Sequence, residues 1–127
     1  MEHVNSGVLL IMTLPGILTL IYGFMVKSSA SRYPSLGWGY KSDLTRKNAQ
    51  VWSEANNFAG KVFIILGIAN IILWPLATYT FWDGYETMIY MSCGTFMMLS
   101  LVIIMALTEK HLDSMFDRDG NLKAVKA

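Results

Sequence analysis

The sequence predicts an all-α integral membrane protein with three transmembrane helices. Of the 127 residues, 54% are hydrophobic and 15% are charged, whereas about a quarter of the residues in a soluble domain are usually charged. Three apolar segments, at about residues 7–26, 59–81 and 86–107, have the roughly 20 residues that a helix needs to cross a bilayer. No internal repeat divides the chain, so we expect a single membrane domain over residues 1–127.

The first apolar segment, residues 7–26, contains no charged residue. The leader before it, MEHVNS, carries Glu2 and neither Lys nor Arg. A secretory signal peptide normally begins with a basic region. We therefore expect this segment to be a retained helix and not a cleaved signal.

The second apolar segment follows the most polar long stretch of the chain, GYKSDLTRKNAQVWSEANNFAGK. Residues 27–45 are rich in Ser, Gly and Pro and are predicted to form a loop. Thr45 is a candidate N-cap for a helix that begins at Arg46. Apolar residues then recur at helical spacing, which predicts a short interfacial helix that leads into the span at 59–81.

The third apolar segment begins after a tight Asp-Gly turn within residues 82–86. Apolar residues continue at helical spacing beyond 107, so we expect the helix to extend past the membrane core: Leu112, Met115 and Phe116. The tail that follows holds Asp117, Asp119, Gly120 and Asn121. Its glycine comes too early for a calcium loop, so the spacing favours a simple turn.

The basic residues predict the orientation. All ten Lys and Arg residues lie between the first two spans, at their edges, or after the third span. The opposite side holds Glu2, Asp83 and Glu86. Because cytoplasmic segments are enriched in Lys and Arg, the N-terminus is predicted outside and the C-terminus in the cytoplasm.

One face of the second span carries an ordered stripe of residues at steps of three and four: Trp52, Asn56, Gly60, Phe63, Gly67, Asn70 and Trp74. Small residues recur on the first span at Gly16, Thr19 or Leu20, and Gly23, and on the third at Cys93, Gly94 and Ser100. Two interpretations stay open. The stripe packs a compact three-helix bundle, or it contacts a hydrophobic peptide or a partner helix. Asn70 is deep enough in the membrane that we expect it to bond a neighbouring helix, and polar residues at such depth are also candidate functional residues.

The sequence contains no motif of a known catalytic or cofactor site. It has no nucleophile elbow, no phosphate-binding Gly-rich loop, no zinc-protease motif and no pair of intramembrane carboxylates. A single Cys and two widely separated His residues offer no metal-ligand spacing. We therefore expect a protein that is not an enzyme and has neither a cofactor nor a metal.

The polar block resembles the signature of the SdpI family of bacterial membrane proteins. That pattern is approximately Gly-Tyr-Arg-Thr-Pro, a polar and basic spacer, Trp, three residues, Asn, and a Gly-Lys pair that opens a transmembrane helix. The matching residues within 34–61 are Gly39, Tyr40, Lys41, Trp52, Asn56, Gly60 and Lys61. Lys41 stands where the family usually has Arg, and Asp43 stands where it usually has Pro.

The resemblance implies immunity to a secreted peptide toxin that attacks the bacterial membrane. It implies a multi-pass protein of the bacterial cytoplasmic membrane that binds a hydrophobic peptide, and a further role in signalling through a cytoplasmic regulator. Direct contact with nucleic acid is not implied, and oligomers are compatible with it. An alternative of a different class is a small accessory or regulatory subunit of a larger membrane complex, because the Gly-lined faces would also fit a partner helix.

Within the signature, each residue type suggests a role. We expect Trp52 to act as an interfacial anchor and Asn56 to cap or tether the loop by hydrogen bonds. Gly60 would permit close helix packing, and Tyr40 with Lys41 would fold back onto the headgroup region. Lys61 and Gly39 complete the motif, and Asn70 is the intramembrane polar residue.

Overall fold

The computed structural model describes residues 4–33 and 38–123. Three long helices account for most of them: α1 at Ser6–Ser28, α2 at Ala49–Phe81 and α3 at Glu86–Met115. A single 3₁₀ turn at Ser29–Ser31 follows α1, and no strand is formed within the described ranges. Residues 34–37, the start of the predicted signature loop, lie outside the described residues, as do the first three and last four residues of the chain.

All three helices are long and apolar enough to cross a membrane, with mean hydropathy of 2.1, 2.0 and 2.0 over their most apolar stretches. For the described residues, the predicted all-α architecture with three helices able to span a membrane is therefore confirmed. The helices α2 and α3 extend well beyond the predicted spans, because α2 begins ten residues earlier and α3 continues to Met115. At 1.5 Å per residue, α2 is about 50 Å long and exceeds the roughly 30 Å hydrocarbon core.

The beginning of α2 differs from the prediction. Asn48, and not Thr45, is the N-cap, and its side chain accepts a hydrogen bond from the backbone N–H of Val51. Thr45 instead closes a turn with Ser42, in which its hydroxyl accepts from the Ser42 N–H at 2.8 Å. The predicted amphipathic segment forms the first part of α2 and runs on into the apolar span without interruption.

The helices α1 and α2 pack antiparallel with very close backbones. A Cβ atom added to Gly16 would lie 2.5 Å from the backbone N of Ile71, and one added to Gly67 would lie 2.7 Å from the backbone N of Leu20. A Cβ at Gly23 would meet Ile64 at 2.9 Å. Since lipid supplies no hydrophobic drive between helices, such close approach is what lets van der Waals contact hold the pair together.

The predicted stripe on α2 is the buried face of that helix, and every one of its residues is buried. On α3, Cys93 and Ser100 are buried as expected, but Gly94 is exposed and faces open space. Gly94 is therefore not a packing residue in this chain.

Three apolar clusters fill the interior at successive levels. The first level, nearest the connection between α2 and α3, joins Met12, Trp74, Ile89 and Cys93; the middle level joins Val26, Ala59, Phe63 and Ile104; the third joins Val51, Ala55, Leu112 and Phe116. The last cluster lies beside the loop and the chain end. Leu112 and Phe116 belong to the extension of α3, so the predicted apolar face beyond residue 107 is confirmed.

Candidate functional site

Asn56 is fully buried and connects the loop to α1 and α2. Its side-chain oxygen accepts hydrogen bonds from the backbone N–H of Tyr40 at 2.6 Å and from the Ser29 hydroxyl at 3.1 Å. Its amide nitrogen donates to the backbone oxygens of Trp52 at 2.9 Å and Tyr40 at 3.4 Å. The amide thus bonds both the N–H and the C=O of Tyr40, which is the tether expected from the sequence.

Trp52 is fully buried as well, and its indole N–H donates to the backbone oxygen of Ser29 at 2.7 Å. Its ring also meets Tyr33, with the two centroids 6.5 Å apart. An interfacial anchor would expose its ring to the headgroups. In this chain, the indole instead donates to the backbone oxygen of the residue that caps the end of α1. Trp52 lies one turn before Asn56, on the same face of α2.

Gly39 is the residue that lets the loop approach Asn56. Its φ is +124°, a conformation that residues with a side chain rarely adopt. A Cβ atom at this position would also collide with the side-chain oxygen of Asn56 and would lie 2.5 Å from the Ser29 hydroxyl oxygen. Both the backbone conformation and the available space therefore require glycine. We call the group formed by Ser29, Gly39, Tyr40, Trp52 and Asn56 the polar cluster.

The side chain of Tyr40 links the polar cluster to α3. Its hydroxyl donates to the Oε1 atom of Glu109 at 2.6 Å. The pKa of Tyr40 is raised above its ordinary value. Burial is the largest cause, followed by the hydrogen bond to Glu109 and then by the negative charge of that carboxylate. Tyr40 therefore stays a neutral donor over the physiological pH range, and it bonds a second helix where the sequence suggested contact with headgroups.

Two further polar contacts hold the end of α3 beside the start of α2. The Nε2 atom of His111 lies 2.8 Å from Oε1 of Glu54, and its ring stacks on Phe58 with centroids 4.2 Å apart. The Asn48 amide donates to the backbone oxygen of Gly120 at 2.9 Å. Gly120 belongs to the predicted C-terminal turn. This turn is confirmed, and an isolated β-bridge between Phe116 and Leu122 closes it.

The remaining signature residues differ in their surroundings. Gly60 packs on α1, since a Cβ there would lie 2.7 Å from the Lys27 Cβ and 2.9 Å from its backbone. Lys41 and Lys61 are exposed. Gly60 therefore acts in helix packing, as expected, whereas the polar cluster contains neither lysine.

Asn70 is fully buried, but both of its hydrogen bonds stay within α2. Its amide donates to the Leu66 backbone oxygen at 2.6 Å, and its side-chain oxygen accepts from the Trp74 indole at 2.6 Å. The expected bond to a neighbouring helix is therefore wrong. Residues four positions apart lie on the same helical face, so the Trp74 indole is next to the Asn70 amide and occupies its side-chain oxygen.

Trp74, held in this way, lines an apolar groove between α2 and α3 near the connecting turn. The groove has a volume of about 450 Å³ and is lined by Trp74, Ala77, Phe81, Tyr85, Met88, Ile89 and Ser92. We call it the outer groove. It lies at the opposite end of the helices from the polar cluster, and its name follows the orientation predicted from the sequence.

Sequence reasoning did not identify Ser29, Glu109, Glu54 and His111 as members of the site. Ser29 carries no local signal, because its role depends on which helix lies against it. Glu109 could have been noticed as a carboxylate at the end of an apolar helix, where an ionisable residue requires a partner.

The family comparison covers most of this architecture. The family model of the SdpI/YfhL proteins matches residues 34–108, which is more than half of the chain. The chain belongs to the SdpI/YfhL family. The match includes every signature residue predicted from the sequence and extends through α2 into α3, so the relation is not confined to the short motif. None of the curated proteins or solved structures compared with the chain shows significant similarity.

Membership in the SdpI/YfhL family is consistent with a multi-pass membrane protein that has an immunity-like role. The matched residues begin after α1. The polar cluster nevertheless includes Ser29, and the close packing of α2 includes Gly16 and Gly23. In this family member, α1 and the residue that caps it therefore supply contacts to the matched region, although they precede it in the sequence.

Proposed function

We propose that the chain is an immunity protein of the bacterial cytoplasmic membrane, which protects the cell from a membrane-active peptide by binding it. The observation that carries the proposal is the match to the SdpI/YfhL family over residues 34–108, together with three helices able to span a membrane. The protein would act without chemical turnover, and its partners would be the bilayer and the peptide. The same proposal includes a signalling contact with a cytoplasmic regulator.

The outer groove supports this function because of its chemistry and its place. Its walls are aromatic and aliphatic, and its volume of about 450 Å³ fits one or two large apolar side chains. With the N-terminus outside, this end of the bundle faces the medium from which a secreted peptide arrives. The start of α2 would then lie at the cytoplasmic interface, where its amphipathic residues meet headgroups.

The polar cluster supports the same function indirectly. It fixes the loop to α1 and α2 through Asn56, and it fixes α3 through Tyr40 and Glu109. The outer groove lies between α2 and α3, so contacts that hold α3 against the rest of the bundle also hold the walls of the groove in place. We therefore expect the polar cluster to preserve the groove and not to contact the peptide.

Expression of the protein in a sensitive bacterium tests the proposal. The inhibitory concentration of a cognate membrane-active peptide should rise, and Met88→Trp, which fills the outer groove, should abolish that rise. Met98→Trp is the matched control, because Met98 is an equally exposed residue of the same helix and does not line the groove. Asn56→Ala should also remove protection, whereas the neighbouring Asn57→Ala should retain it.

Quantification of each variant in the membrane fraction separates loss of function from loss of protein. Unchanged sensitivity across a broad panel of membrane-active peptides would refute the immunity role. Stoichiometric co-purification with a larger enzyme or transporter in mild detergent would instead favour an accessory subunit.

A further inference from the structure

A second, larger groove lies at the other end of the molecule, beside the polar cluster. It has a volume of about 800 Å³, and it is formed by the loop before α2, the end of α3 and the C-terminal turn. Leu44 and Phe116 provide apolar surface, and Ser42 adds a hydroxyl. We call it the charged groove, because most of its other lining residues are ionisable.

Both signs of charge line the charged groove. The carboxylates belong to Asp43, Glu109, Asp113 and Asp117, and the cations belong to Lys47, Arg118 and Lys123. None of these described carboxylates lies within ion-pairing distance of one of these cations. Opposite charges therefore line one concave surface without neutralising each other by direct pairing.

Several of these groups already make contacts that fix them in place. Glu109 accepts the Tyr40 hydroxyl, Asp117 accepts two backbone N–H groups of its own turn, and Lys123 donates to the Asp113 backbone oxygen. Lys47, Arg118 and the carboxylates of Asp43 and Asp113 remain available. The described carboxylates do not form a cluster suited to a metal ion.

The depth of the charged groove in the membrane favours a lipid as its ligand. Glu86 begins α3 in the short outer connection, and Glu109 lies about 35 Å further along the helix. The hydrocarbon core is about 30 Å thick, and the headgroup layers lie just beyond it. Glu109 is thus placed at the headgroup level, and Leu44 and Phe116 offer apolar surface to the first carbons of a lipid.

We propose that the charged groove binds the headgroup of a phosphatidylethanolamine molecule. The primary ammonium group has three N–H donors for the carboxylates of Asp43 and Asp113, and the phosphate oxygens accept from Lys47 and Arg118. An anionic headgroup would meet four carboxylates, and a choline headgroup has no N–H to donate. The inference does not depend on peptide immunity, since it requires only that the helices span the membrane.

Native mass spectrometry of the full-length protein, released from nanodiscs with equal amounts of phosphatidylethanolamine, phosphatidylcholine and phosphatidylglycerol, tests the assignment. The expected result is retention of phosphatidylethanolamine with about tenfold preference over the other two lipids, a difference of about 1.4 kcal/mol. The double variant Asp43→Asn/Asp113→Asn should lose the preference over phosphatidylcholine. Lys47→Gln should lower the total retention of phosphatidylethanolamine.

Asp83→Asn and Lys110→Gln are the controls, since they make the same types of substitution outside the groove and should keep the preference. The substituted side chains of Asp43, Asp113 and Lys47 are exposed, so the helical circular dichroism should not change. Equal retention of the three lipids, a preference for phosphatidylglycerol, or a preference that survives the groove substitutions would overturn the proposal.

Discussion

A single buried side chain, Asn56, bonds both the N–H and the C=O of Tyr40 in the loop before α2. Leaving a buried N–H without a partner costs about 1–3 kcal/mol, so the Asn56 amide removes a substantial penalty at Tyr40. Glycine at position 39 is the complementary requirement, because it lets the loop come within hydrogen-bond distance. The two residues therefore form one structural unit, and this accounts for their occurrence together in the signature.

Tyr40 supplies the pH dependence that can be tested at this scale. Burial, the bond to Glu109 and its charge raise the pKa of Tyr40, so the folded protein favours the neutral phenol. The stability from this contact is present below the ordinary tyrosine pKa of about 10 and is lost as the pH rises through the raised value. In an absorbance titration of tyrosine, Tyr40→Phe should remove one late-titrating group.

Glu109→Gln separates the causes of that shift. The substitution removes the charge and weakens the hydrogen bond, so the pKa of Tyr40 should fall. It should stay above the ordinary value, since burial is the largest cause. A titration curve that does not change in Tyr40→Phe would contradict the assignment of the late-titrating group.

The residue types at the site could be predicted, but several of their partners could not. The spacing of Trp52, Asn56 and Gly60 places them on one helical face, and the tether made by Asn56 followed from its polarity. The partner of Trp52 is a backbone oxygen of Ser29, which depends on the three-dimensional packing of α1. Asn70 shows the converse case. Its partner Trp74 is only four residues away on the same helix, so this contact could have been predicted from the sequence alone.

The start of α2 shows the same limit at the level of elements. Both Thr45 and Asn48 are good N-cap residues. The choice follows from the other contacts of the two side chains. The Asn48 amide also bonds Gly120, which is distant in sequence, and the Thr45 hydroxyl is used by the local turn with Ser42. The lengths of the apolar segments, in contrast, are a local property, and they predicted three spanning helices correctly.

The pairing of α1 with α2 leads to a prediction about glycine. Gly67→Ala would place a Cβ atom 2.7 Å from the Leu20 backbone, which cannot move away as a flexible side chain could. We expect a loss of stability of roughly 1–3 kcal/mol from this overpacking, although alanine has the higher helix propensity. Unfolding of the purified protein by SDS, followed by circular dichroism, measures the change.

Gly94→Ala is the control for that experiment, because nothing lies within 4 Å of a Cβ at position 94. It should leave the stability unchanged or raise it slightly. Equal stability of the two variants would mean that α1 and α2 are not packed as closely as described.

The whole molecule is asymmetric in charge, and this asymmetry predicts how it inserts into the membrane. Lys and Arg residues gather at the end where α1 and α3 finish and α2 starts, together with the polar cluster and the charged groove. The outer groove lies at the other end, beside Asp83 and Glu86. Translocation of the basic end would require many cations to cross the membrane, so the N-terminus should be outside.

Cysteine accessibility tests this orientation in intact cells. In a Cys93→Ser background, Asp83→Cys should react with a membrane-impermeant maleimide added outside, and Asp119→Cys should react only after the cells are permeabilised. Both positions are exposed, so a difference between them reports the side of the membrane and not burial. The reverse labelling would place the outer groove in the cytoplasm, away from a secreted peptide, and would require the immunity proposal to be abandoned. The placement of the charged groove at a headgroup layer would remain, because the depth of Glu109 along α3 does not depend on which side faces out.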